Sequence, residues 1–334
     1  VPLIHSPRGC LEPWALSYRS WKKKLALALY QRRALEQVSC FHAASALEAE
    51  SIRKMGLRQS IVVIPNGIEV GGQRSEDGGQ GRGDRRRERE TRSSADPATD
   101  LPSGDRKTEV RSVTGGTAQC HGGVGGAASC GGQTEQRFDP SFDFRPLTSA
   151  PRNGMPYALY LGRLHPIKNL AALVRAWAMV KPEGWCLKLV GSDEAGYRAE
   201  LESLAKELGI SDRVDFLDPE YGEAKWEIIR GASLSFLVSH SENFGISAAE
   251  ALGCGVPVIA SKTTPWECLE AEKMGWWVEG TPEGIAGALM EAVGVSDMER
   301  SEMGRRARAY VIERYSWDAV SEDFVRMYDG LLGG

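Results

Sequence analysis

The sequence predicts an α/β protein: a Rossmann-like parallel sheet in its carboxy-terminal half, joined to a truncated amino-terminal α/β domain. Three observations carry this. From Pro156 onward, apolar runs of four or five residues recur between segments of helical spacing, the alternation that builds a parallel sheet wrapped by helices on both faces. One such run, 234–238, enters a polar, glycine-bearing loop that opens into a helix-forming stretch, 246–252, stopped by Gly253 and Gly255. Residues 1–69 repeat the alternation in shorter form.

Each element follows from its residues in turn. Residues 1–5 are a short apolar strand and Ser6-Pro7-Arg8-Gly9 a turn. Residues 16–37 have helical spacing, with Lys22, Lys23, Lys24, Arg32 and Arg33 set among Trp21, Leu25, Leu29 and Leu35. A basic amphipathic helix of this kind either packs with a solvated face or lies on an anionic membrane surface. Residues 38–43 read as a strand, 45–55 as a helix with Ser45 as N-cap and Glu48 completing a capping box, and 61–64 as another strand closed by Pro65-Asn66-Gly67. Between Gly71 and Arg137 no Phe, Trp or Tyr occurs and Gly, Arg, Asp, Glu, Ser and Thr dominate. Such a stretch buries too little to offset its chain entropy, so 70–150 is predicted to be a disordered linker or insertion. Acids interleave its Arg85-Arg86-Arg87-Glu88-Arg89 cluster, which favours a solvated linker over a nucleic-acid contact.

Regularity returns with strands predicted at 157–161, 186–190, 214–217, 234–238 and 256–260, and helices at 170–180, 197–208 and 223–230. Thr281 with Pro282 starts a helix, Ser296 with Glu299 forms a capping box for the next, and Ser316-Trp317-Asp318 opens the last, to about residue 332. The expected organisation is an amino-terminal remnant (1–69), the linker (70–150), a second Rossmann-like domain (151–315) and a closing helix (316–334). Starting at Val1 in mid-pattern, the chain is expected to be a fragment.

With 334 residues, 42% of them hydrophobic, the chain can bury one or two real cores. A formal net charge of -4 gives no general pull towards nucleic acid. Seven scattered cysteines without metal-type spacing point to reduced thiols and a cytoplasmic location. No apolar run approaches the ~18 residues of a membrane-spanning helix.

The loop after 234–238 is where chemistry concentrates. A helix start at Ile246 presents backbone N–H groups and the positive end of its dipole, suited to an anion such as phosphate. Phe244, Gly245 and Ile246 would supply amides, with Gly245 allowing close approach. Glu250, one helical turn on, could accept hydrogen bonds from vicinal ribose hydroxyls, and Glu242 sits on the loop beside Asn243. The turn after 157–161 carries Gly162, Arg163 and Lys168. A guanidinium and an ammonium there would supply two positive charges for a diphosphate. Taken singly, these are ordinary surface charges. What raises them above that is their place at strand carboxyl ends, where open α/β sheets bind ligands.

Glu242 and Glu250, seven residues apart around Asn243-Phe244-Gly245-Ile246 and followed by Gly255-Val256-Pro257-Val258-Ile259-Ala260-Ser261, resemble the donor-site signature of retaining GT-B glycosyltransferases of family 4. Gly162-Arg163-Leu164 with Pro166, Lys168 and Asn169 resembles that family's phosphate-contacting turn. The resemblance spans roughly 1–69 and 155–332. It implies that Arg163 and Lys168 contact the donor's phosphates, Glu242 the donor sugar and Glu250 the ribose. It also implies that the final helix crosses back onto the amino-terminal domain, most of whose acceptor site lies outside this chain. Arg8 stands where many members have a histidine facing the transferred sugar.

The activity so implied is transfer of a sugar, with retention, from a UDP- or GDP-sugar to a glycan or lipid-linked acceptor, at the cytoplasmic face or a membrane surface. No Asp-x-Asp presents a metal site at a strand end, so neither metal nor cofactor is expected; electrostatic preorganisation does the work. Two other readings stay open: a nucleotide-sugar binding module without turnover, and a GT-B sugar-nucleotide epimerase.

Overall fold

The computed structural model describes residues 2–12, 31–70, 155–194 and 196–332. The basic stretch around Lys22, Lys23 and Lys24 and the low-complexity stretch beyond Val70 lie outside the described residues. Among the described residues two parallel sheets are present, one of three strands and one of six.

The first sheet is formed by β1 (Ile4–His5), β2 (Cys40–Ala43) and β3 (Ser60–Val63), in that order. Helix α1 (Arg32–Glu36) precedes β2, and α2 (Ala46–Lys54) connects β2 to β3. Pairing places Ile4 opposite Cys40 and Cys40 opposite Ser60. A small cluster of Leu11, Leu35, Val38, Phe41, Ile52 and Leu57 fills one side. Ser45 caps α2 by accepting from the Glu48 N–H at 3.2 Å. The reciprocal half of the expected capping box does not form. The Glu48 carboxylate turns instead to the N–H groups of Ala44 and Gly9.

The second sheet begins at β4 (Tyr157–Leu161), followed by α3 (Leu170–Val180), β5 (Cys186–Val190), α4 (Tyr197–Glu207) and β6 (Val214–Leu217). The chain then passes through α5 (Gly222–Arg230), β7 (Leu234–Leu237), α6 (Ile246–Gly253) and β8 (Val258–Ser261). Helix α7 (Cys268–Ala271) and strand β9 (Gly275–Val278) complete the sheet, and neither was anticipated from the sequence. Trp276 and Trp277 lie on β9 at the sheet's edge, half-buried.

Strand order is β6-β5-β4-β7-β8-β9. The chain builds outward from β4 through β5 and β6, then returns to β4's other side and builds outward again. That reversal leaves a crevice at the carboxyl ends of β4 and β7, where such sheets bind ligands. Both faces are covered, with Leu173, Trp177, Leu187 and Leu289 in one core layer and Leu252, Val258, Trp266 and Val311 in the other. Strands buried on both sides account for the near-continuous apolar runs in the sequence.

Three helices follow: α8 (Pro282–Gly294), α9 (Asp297–Tyr315) and α10 (Trp317–Leu332). Thr281 caps α8, and Ser296 with Glu299 forms the full capping box of α9, both as the sequence predicts. Helix α10 leaves the second sheet and packs on the first: Val320 and Met327 bury against Ile64, with Ile4, Val62, Phe324 and Leu331 around them. The Ile68 N–H donates to the Tyr315 carbonyl at 2.8 Å, tying the chain after β3 to the start of α10.

Candidate functional site: the crevice between β4 and β7

Two loops meet at this crevice. The first runs from Gly162 to Asn169. Gly162 adopts φ +153°, and a Cβ on the neighbouring Gly191 would run into the Gly162 carbonyl, so the two strand ends approach closely only because residue 191 is glycine. Tyr160 donates its hydroxyl to the Arg163 carbonyl at 2.8 Å, and burial raises its pKa, holding it neutral. A single turn at Pro166–Lys168 then places Lys168 towards β7. The second loop runs from Ser239 to Gly245 and is fixed to the first by the His240 N–H donating to the Ile167 carbonyl at 2.8 Å.

Lys168 and Glu242 join across these loops. Lys168 Nζ donates to Glu242 Oε2 at 2.6 Å, with both side chains largely shielded at 18% and 16% exposure. Ser239 adds a hydroxyl donor to the same carboxylate oxygen at 3.1 Å. Gly245, at φ +85°, opens α6; a Cβ there would fall 2.5 Å from Leu237 Cδ2 and 3.0 Å from Trp266 Nε1. Trp266 is buried and donates its indole N–H to the Phe244 carbonyl at 2.6 Å. Phe244 is further packed by the Trp266 and Tyr315 rings. The backbone entering α6 is therefore held on three sides, and the first-turn N–H groups at Ile246 and Ser247, which no α-helix satisfies internally, emerge from a rigid frame. Ile246 itself is 50% exposed.

Arg163 and Glu250 are placed differently. The Arg163 guanidinium lies on Glu194, just beyond β5, with Nη1 at 2.8 and 3.0 Å from the two carboxylate oxygens. It is thus paired away from Glu242. Glu250 points from α6 to α5, where Lys225 Nζ donates to it at 2.6 Å. Glu194 had no assigned role in the sequence reading, since an ion-pair partner 31 residues away leaves no local pattern.

Two further acids reach the second loop from the first sheet. Glu48, 1% exposed, accepts from the Gly9 N–H at 2.6 Å and the Ala44 N–H at 2.8 Å. With its nitrogen turned towards Glu48, the Asn243 amide also donates to it, at 2.7 Å to Oε2 and 3.3 Å to Oε1. Glu12, 8% exposed, takes a short hydrogen bond from the Ser241 hydroxyl. Burial raises the Glu12 pKa, opposed by the Ser241 bond and reinforced by Glu48 and Glu242. Arg8 is exposed, at φ +49°, and His5 rests edge-on against Phe41.

Two Rossmann-like parallel sheets, with a last helix that leaves the second and closes on the first, define a GT-B glycosyltransferase fold. Residues 147–310 match the family of glycosyl transferases group 1, and residues 1–67 match a glycosyl transferase 4-like domain, so the chain carries both domain types. It is 32% identical over 213 residues to a D-inositol 3-phosphate glycosyltransferase of Corynebacterium jeikeium, a match covering 60% of this chain and 50% of that protein. The chain spans about half the length of the curated relatives it matches. Among solved structures, it superposes on sucrose-phosphate synthase from Thermosynechococcus elongatus with a TM-score of 0.66 at 20% identity, over 99% of this chain and 68% of that one. HepE from Anabaena, solved with UDP-glucose, gives 0.64 at 18% identity, over 98% and 72%.

Proposed function

We propose that this chain binds a nucleoside-diphosphate sugar, UDP- or GDP-linked, and transfers the sugar with retention to a hydroxyl of a glycan or lipid-linked acceptor. The single observation that carries the reading is the Lys168–Glu242 pair, set beside the amino-terminal end of α6 at the sheet's reversal point. Charge develops on the departing diphosphate as the glycosidic bond breaks, and fixed cations and N–H dipoles stabilise it without reorganising.

In this reading Lys168 supplies the ammonium at the diphosphate, and the amides of Phe244, Gly245 and Ile246 supply aligned dipoles. Gly162 and Asn243 border the same space. Arg163 exchanges Glu194 for phosphate oxygens, an exposed pair whose loss costs little. Glu242, steadied by Lys168 and Ser239, accepts from the sugar's hydroxyls, and Glu250 from those of the ribose. The acceptor hydroxyl attacks on the leaving-group face and its proton passes to the diphosphate, so neither glutamate forms a bond to the sugar.

Calorimetry and saturation-transfer NMR against UDP-, GDP- and ADP-sugars test the donor. Binding of at least one, unchanged by EDTA, is the expected outcome; strict magnesium dependence would refute the reliance on fixed cations. The second reading is a nucleotide-sugar binding module without turnover. Donor binding with neither transfer nor hydrolysis selects that reading, and an epimerised nucleotide sugar formed without acceptor selects an epimerase.

A further inference from the structure

The donor loop is gripped from the first sheet, by residues outside the donor-site signature. Two carboxylates, Glu12 after β1 and Glu48 on α2, take hydrogen bonds from Ser241 and Asn243, one residue on either side of Glu242. The contact is close at the backbone too, since a Cβ on Gly9 would lie 3.4 Å from Asn243 Cβ. The geometry points to Glu48 as a positioning residue for the donor loop, fixing the orientation of the Asn243 amide and, through it, the turn that presents the amides of Phe244, Gly245 and Ile246. This rests on the donor-binding reading above.

The chemistry explains why a carboxylate is used. Glu48 faces three N–H donors, those of Gly9, Ala44 and Asn243, and offers acceptors on both oxygens. A glutamine has one acceptor oxygen and an NH2, so it would set a donor against at least one of the three or force the Asn243 amide to rotate. A buried carboxylate is costly unless it is well hydrogen-bonded, and the Asn243 contact from the second sheet is part of that compensation. The amino-terminal sheet thereby shapes the anion-binding turn while staying outside the expected diphosphate position. Donor affinity becomes a property of both sheets.

The test is a double-mutant cycle on UDP and GDP affinity, read by calorimetry in the full chain, with Glu48→Gln, Asn243→Ala and the pair. Each single change is expected to weaken binding of whichever nucleotide binds by at least about fivefold, and the double variant to be no weaker than the worse single, as for residues acting through one contact. Amide hydrogen exchange at 244–246, measured without nucleotide, should quicken in Glu48→Gln. Since Glu48 is buried, that variant risks losing the first sheet; Asn243→Ala breaks the same contact from the other side and supplies the exchange readout independently. Wild-type affinity in Glu48→Gln with unchanged exchange at 244–246, or additive losses in the double variant, would overturn the assignment. A wild-type chain binding neither UDP nor GDP would remove the donor reading instead. The exchange comparison would then decide the role of Glu48 by itself.

Discussion

Lys168 Nζ and Glu242 Oε2 lie 2.6 Å apart, an ammonium from the loop after β4 paired with a carboxylate from the loop after β7. Because the two side chains are mostly shielded from water, the pair spans the crevice as a unit. Removing the lysine leaves a partly buried carboxylate facing the space proposed for a diphosphate. Lys168→Ala should therefore weaken UDP or GDP binding by about 1.5–3 kcal/mol, through the lost charge-assisted bonds. Calorimetry showing unchanged affinity would place the anion elsewhere.

Arg163 should respond in the opposite sense to its neighbour. Its pair with Glu194 is 59% and 36% exposed, so the competition it offers an incoming phosphate is weak, up to about 1 kcal/mol. Glu194→Gln is expected to tighten nucleotide binding slightly, while Arg163→Ala loosens it. If both substitutions leave affinity untouched, Arg163 stays on Glu194 throughout and takes no part in the site.

Much of this was legible beforehand. The alternation of apolar runs and helices gave the second sheet nearly strand for strand, because strands covered on both faces must be apolar along their length. Lys168 and Glu242 were singled out from separate loops, and the sheet's reversal between β4 and β7 brings those loops together. What stayed hidden depends on partners distant in sequence. Ser45 and Glu48 fit a capping box locally, yet the carboxylate is drawn to Gly9 beyond β1 and to Asn243 on the second sheet's loop. Arg163 turns to Glu194 for the same kind of reason: the ends of β4 and β5 are neighbours in the sheet, 31 residues apart in the chain.

Protonation of Glu12 should show in the pH dependence of stability. Burial chiefly raises its pKa above the ordinary carboxyl value of 4.5, so the folded chain holds this proton more tightly than the unfolded one. The sign follows: the resulting stability is fully present below 4.5 and is lost as pH rises through the folded pKa. Glu12→Gln removes the charge while keeping an acceptor for Ser241. Its thermal midpoint should exceed that of the wild type at pH 7, and the difference should shrink on acidification. A lower midpoint for the variant at pH 7 would mean that the charged bond to Ser241 outweighs burial.

Thiol reactivity should divide along burial. Cys254, at the end of α6, is pushed up to about 11, chiefly by burial, despite Arg230, Arg308 and Lys225 nearby. Cys10 is exposed. At pH 8, iodoacetamide followed by peptide mass mapping should find Cys10 modified well before Cys254, because the thiolate is the nucleophile. Equal labelling of the two would mean that α6 opens readily in solution.

Gly304 tests whether the helix layer behind the site sets its rigidity. This glycine lies in the middle of α9, where a Cβ would collide with the Gly255 carbonyl in the turn that follows α6. The collision is with backbone, so no side-chain rotation relieves it; α9 or the α6–β8 turn must move. Alanine favours a helix interior by about 1 kcal/mol over glycine, so on propensity alone Gly304→Ala would stabilise. Overpacking a close backbone approach typically costs about 1–3 kcal/mol, which exceeds that gain. The expected net outcome is a lower thermal midpoint. UDP or GDP affinity should fall with it, since the turn beyond α6 holds the helix whose first amides are proposed to bind phosphate. A Gly304→Ala chain more stable than the wild type would show that propensity wins and that the α6–α9 contact yields without cost.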